Sequence, residues 1–75
     1  MPPYEVGTLV RKKPYAGRLG TYYVPSIPGI IKEIFLYTDD MWASRVAWFY
    51  KDGTVKTEYE LVKDLEPFTG EQDEV

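Results

Sequence analysis

The sequence predicts an all-β domain, a small five-stranded barrel. Three observations carry that prediction. Asp52-Gly53 separates two β-prone runs, among the strongest short-range signs of a hairpin. Elsewhere apolar and polar residues alternate over short stretches bounded by Gly and Pro, and no stretch has the spacing of an amphipathic helix. Seven Tyr, three Phe and two Trp supply the buried area that so short a chain needs. At 75 residues there is room for one domain. A chain of this size buries only about 60% of the surface its unfolded form exposes, so stability rests on one compact core.

In chain order, Met1-Pro2-Pro3 is a loose start, because two prolines cannot donate to a ladder. Residues 1–4 are therefore expected to be a flexible N-terminus, 5–68 the barrel, and 69–75 a mobile acidic tail. Glu5–Lys12 alternates, with Val6, Thr8 and Val10 on one side, and predicts the first strand. Lys13–Pro28 is punctuated by Pro14, Gly17, Gly20, Pro25 and Pro28, which predicts a long loop holding at most a short ribbon at Tyr22-Tyr23-Val24. Gly29–Tyr37 predicts the second strand. Ile31 and Ile34 cannot share a face under strict alternation, so a bulge near Lys32-Glu33 is expected to bend the strand.

Thr38–Ala43 is expected to be a turn, with Met41 and Trp42 inside it. Ser44–Glu60 forms the hairpin. A two-residue loop faces Tyr50 to Val55, Trp48 to Thr57 and Val46 to Tyr59, and on the other side pairs Arg45 with Glu60. This register is expected because it buries Trp48. The alternative is a three-residue loop, Lys51-Asp52-Gly53, with Gly53 in a bulge and Phe49 facing Val55. Leu61–Asp64 predicts a single 3₁₀ turn, and Leu65–Phe68 a short last strand returning to the first.

Charge and composition exclude several functions. There is no cysteine and no histidine, so no disulfide forms and the usual zinc ligands and general base are missing. Ser26 and Ser44 have no nucleophile-activating partner, and no Gly-rich loop precedes a helix. An enzyme is not expected, and neither is a cofactor or a metal. Asp39-Asp40 reads as a turn, since two acids fall short of the roughly six to eight oxygens that calcium takes. No run reaches the roughly 20 apolar residues that span a bilayer, and no signal-peptide pattern is present, so a cytoplasmic protein without membrane contact is expected. Residues 1–36 carry five basic side chains against two acidic, and residues 37–75 four against ten. Such a bipolar surface can orient a partner, though acidic turns and tail also serve solubility.

Four phrases carry a resemblance: Val6-Gly7-Thr8-Leu9-Val10-Arg11, Gly29-Ile30-Ile31-Lys32-Glu33-Ile34, Val46 to Gly53, and Glu60 to Pro67. In that order, with a long first loop and a one-turn 3₁₀ segment before the last strand, they resemble SH3-like barrels. They are similar to small single-domain proteins of tailed bacteriophages, cyanophages among them, and to the wider group of KOW- and Tudor-like barrels. The likeness covers about residues 5–68. It departs from peptide-binding SH3 domains, whose Ala-Leu-Tyr-Asp-Tyr type motif is replaced here by Val10-Arg11-Lys12-Lys13. That departure puts proline-rich peptide recognition in doubt. Fold alone assigns no function.

The expected function is a non-catalytic protein-interaction module. The resemblance implies a phage accessory or assembly protein, or a binder of a host factor, in the cytoplasm of the host cell. The candidate contact residues are Tyr15, Tyr22 and Tyr23 of the long loop, where tyrosines beside prolines can build a groove or a cage, and Trp42, a candidate anchor. Each has a packing alternative as a lid over the barrel. The second reading is a nucleic-acid-binding barrel using Arg11, Lys12, Lys13 and Arg18 beside aromatics, which the overall acidity opposes. The partner is an unknown protein or a second copy of the chain, because a partly open barrel leaves strand edges to manage.

Overall fold

The computed structural model describes residues 2–16, 22–23 and 27–68, the pairs 15–16 and 22–23 at the level of the backbone. The strands are β1 (Leu9–Lys12), β2 (Tyr15–Ala16), β3 (Tyr22–Tyr23), β4 (Gly29–Thr38), β5 (Met41–Phe49), β6 (Val55–Leu61) and β7 (Leu65–Pro67), with a 3₁₀ turn at Val62–Asp64. Five of them form one antiparallel, open sheet in the order β6-β5-β4-β1-β7, and β2 pairs with β3 as a separate ribbon. All the described sheet is thus antiparallel, as expected, and the last strand does return to the first. No helix among the described residues is long and apolar enough to cross a membrane.

The core explains how a single sheet manages without a second layer. Val10 (β1), Ile31 (β4), Val46 and Trp48 (β5) and Leu65 (β7) form one buried cluster, with Tyr4, Ile27, Ile34 and Tyr50 packed against it. Side chains from four strands can bury one another only if the sheet curls around them. Each fully buried branched or aromatic side chain contributes about 1.5–3 kcal/mol. The bend comes from the bulge expected at Lys32-Glu33: the β4–β5 register shifts between Ile31 and Glu33, which lets Ile31 be fully buried and Ile34 reach the same cluster. Gly29 makes the tightest approach. A β-carbon there would lie 2.6 Å from the Trp48 ring and 2.6 Å from Val46, so only glycine lets β4 start over that indole.

Three expectations are corrected. The first strand begins at Leu9, not Glu5; Gly7 has φ of +96°, and Thr8 N–H turns back to Glu5 C=O at 3.1 Å. Val6 is consequently exposed. Met41 and Trp42 lie in β5 and not in a turn, because Asp39-Asp40 alone suffices to reverse the chain. The hairpin adopts the three-residue loop: Phe49 faces Val55, Trp48 faces Lys56 and Val46 faces Glu58. Gly53 N–H donates to Tyr50 C=O at 3.0 Å, Gly53 sits at φ of +91°, and Tyr50 N–H donates to Thr54 C=O at 2.8 Å. Trp48 is buried in this register too, because its face is set by pairing with β4.

The two sides of the sheet end differently. At one side β7 is three residues long and ends in Pro67. Phe68 N–H donates to Leu9 C=O at 3.1 Å, so alternation points the backbone of Pro67 away from β1, and its missing donor falls on the free side. At the other side, β6 runs for seven residues without proline or register shift.

Candidate interaction surfaces

The outer face of the sheet carries an aromatic patch built by register. Phe35, Ala43 and Leu61 stand side by side across β4, β5 and β6. Tyr59, two residues before Leu61, returns to the same face, and its ring meets Phe35 edge-on, with centroids 6.2 Å apart and planes at 78°. Tyr37 and Tyr59 are 65% and 69% exposed, and with Phe35, Ala43, Glu60 and Leu61 they line a shallow recess. None of these aromatics was singled out from sequence. The available sign is Phe35 and Tyr37 two apart in β4, after Ile34, which packs toward the core.

Beside the patch, Arg45 crosses to Glu33 at 3.2 Å and faces Tyr59 in register. The expected Arg45–Glu60 pair is therefore corrected. Glu60 turns to the buried side instead. Its Oε2 accepts the Trp48 indole N–H at 3.1 Å and lies 3.5 Å from Lys12 Nζ, which in turn stands 5.8 Å from the Trp48 ring centroid. The shift of one residue in register is what exchanges these partners.

The candidate basic residues do not share a face. Arg11 and Lys12 are neighbours on β1, so their side chains point to opposite sides. Arg11 pairs with Glu66, directly opposite on β7, with both side chains largely covered. Lys12 joins Glu60 at the edge of the core. Lys13 is exposed, in a recess with Lys12, Pro14, Glu60 and Asp64. Arg18 lies outside the described residues.

Trp42 is half-buried on β5, opposite Leu36, and lines a second shallow recess with Pro3, Asp40, Met41, Val62 and Lys63. Tyr15 faces Tyr23 and Ala16 faces Tyr22 in the β2–β3 ribbon. The structure thus joins the three loop tyrosines in one ribbon, while their side chains lie outside the described residues. Asp39-Asp40 is a turn, with Thr38 Oγ1 donating to Asp40 Oδ1 at 3.4 Å.

At the hairpin tip, Asp52 Oδ1 accepts Thr54 N–H at 2.9 Å. That hydrogen bond from the Thr54 backbone, helped by the Thr54 side chain, holds the Asp52 carboxyl below its ordinary pKa. Comparison with known protein families, characterised proteins and solved structures finds no match for the chain.

Proposed function

We propose that this chain is a non-catalytic protein-interaction module on a curled, SH3-like barrel. The proposal extends to the tailed-bacteriophage type of that barrel, acting in assembly or on a host factor in the cytoplasm. The element order supports the barrel reading: five sheet strands, a long first connection, and a 3₁₀ turn before a last strand that pairs with the first. One observation carries the functional reading. The outer face presents Phe35, Tyr37 and Tyr59 together at a recess, and aromatic side chains are the type that dominates protein contacts. In this reading Trp42 and the ribbon of Tyr15, Tyr22 and Tyr23 add to the contact surface.

The nucleic-acid reading has less support. Arg11 and Lys12 are each matched by an acid of the same chain, and they point to opposite faces. Phosphate contacts need free cations that converge, because counterion release supplies most non-specific affinity. Titration of labelled single- and double-stranded DNA and RNA, at low and at physiological salt, tests the choice. No binding at low salt is expected. Salt-sensitive binding that disappears when Arg11, Lys12 and Lys13 are neutralised would overturn the protein-interaction reading.

A further inference from the structure

We infer that β6 is a self-pairing edge: two copies of this chain join β6 to β6, antiparallel, about a twofold axis through Thr57. This deepens the protein-interaction reading and rests on it, naming a second copy as the partner.

The backbone supplies the first argument. β6 is the terminal strand of the sheet, and among the described residues no strand pairs with its outer side. The Tyr50 N–H to Thr54 C=O bond marks 50/54 as a hydrogen-bonded pair. Alternation carries that character to Trp48/Lys56, Val46/Glu58 and Ser44/Glu60. Lys56, Glu58 and Glu60 therefore direct their backbone groups at β5. Val55, Thr57, Tyr59 and Leu61 direct theirs outward. Residues 55–59 are all exposed. Edges are blunted by proline, a bulge, shortness or charge. β7 has proline and shortness; β6 has charge alone, and Lys56 and Glu58 are of opposite sign, so a second copy can match them.

The side chains supply the second. Reversed onto itself about Thr57, the strand sets Val55 against Tyr59 and Lys56 against Glu58, each twice by symmetry, and Thr57 against Thr57 once on the axis. Aromatic with β-branched, opposite charges, and Thr with Thr are the favourable cross-strand pairs. Neighbouring registers fail. An axis at Lys56 opposes two lysines, one at Glu58 opposes two glutamates, and one at Tyr59 sets Glu58 against Glu60. Those like charges fall in non-hydrogen-bonded pairs, where facing residues approach most closely. The Thr57 axis is the only one of these four without a like-charge opposition. It also brings the two Tyr59 rings, each braced by Phe35, onto one continuous outer face.

The contact is small beside the roughly 1,200–2,000 Å² of a standard stable interface, so the dimer forms and dissociates with concentration. Sedimentation equilibrium from micromolar to millimolar chain is expected to show the mass rising from 8.7 kDa toward twice that value. Lys56→Glu and Glu58→Lys each replace two cross-strand ion pairs with like charges and are expected to weaken dimerisation about tenfold. The double variant, K56E with E58K, restores opposite charges and is expected to restore the native dissociation constant. Circular dichroism confirms that each variant is folded. A native chain that stays monomeric at millimolar concentration overturns the inference, and so does a dimer that responds equally to the single and double reversals. Either failure leaves the protein-interaction reading standing, because that reading falls only to nucleic-acid binding.

Discussion

Gly29 and Trp48 face each other across β4 and β5, so close that any β-carbon at position 29 would press on the indole at 2.6 Å. Trp48 is 3% exposed and belongs to the central cluster, so the ring has little space to retreat into. Gly29→Ala is expected to destabilise the fold by about 1–3 kcal/mol, the usual cost of overpacking. For a domain of this size each kcal/mol lowers Tm by about 4–8 °C. A Tm equal to the native value would show that the indole yields freely.

Among the described residues, Glu60 is the one acceptor for a nearly buried indole donor. Its carboxylate takes the Trp48 N–H at 3.1 Å with a side-chain exposure of 12%. Glu60→Ala removes that acceptor and is expected to cost about 1–3 kcal/mol in urea unfolding, with a shift in Trp emission. Lys12→Met removes only the half-exposed cation of the same trio and is expected to cost less than about 1 kcal/mol. Equal losses from the two changes would mean that the ion pair, and not the indole bond, holds the site.

Arg11 and Glu66 are opposed in register on β1 and β7 and are the most covered ion pair described. A double-mutant cycle with Arg11→Met and Glu66→Gln is expected to give a coupling of about 1 kcal/mol. A coupling near zero would return Arg11 to the pool of cations available for phosphate.

The hairpin tip gives a pH-dependent prediction. Gly53→Ala places a β-carbon at φ of +91° and is expected to cost about 1–2 kcal/mol. Asp52 has a folded pKa below its ordinary 3.8. Its contribution is therefore complete above that ordinary value and is lost as pH falls through the depressed one. Thermal unfolding between pH 6 and pH 2 is expected to show a shallower acid limb for Asp52→Asn than for the native chain. Parallel limbs would show that the Thr54 bond does not stabilise the charged form.

Much of this architecture was legible in the residues. The Ile31/Ile34 conflict locates the β4 bulge, Leu61–Asp64 the 3₁₀ turn, and Leu65–Phe68 the return of β7 to β1. The register of the hairpin was not legible, for a physical reason. Asp-Gly suits both a two-residue loop and a three-residue loop with a glycine bulge, and burial of Trp48 cannot choose between them, since β4 fixes which way that ring points. Alternation over Glu5–Thr8 does not make a strand, because it coincides with a turn around Gly7. The outer aromatic patch was hidden because Phe35, Tyr37 and Tyr59 come from strands whose relative register only the fold reveals.

Pro67 has a consequence for larger assemblies. A sheet that could accept strands at both ends would add copies head to tail without limit, the geometry of a fibril. Here one end lacks the amide that a new neighbour would have to find. Among the described residues, growth of this sheet by strand addition is thus confined to the β6 side, and the isologous pair inferred above would consume it. Such a pair closes on itself and does not propagate.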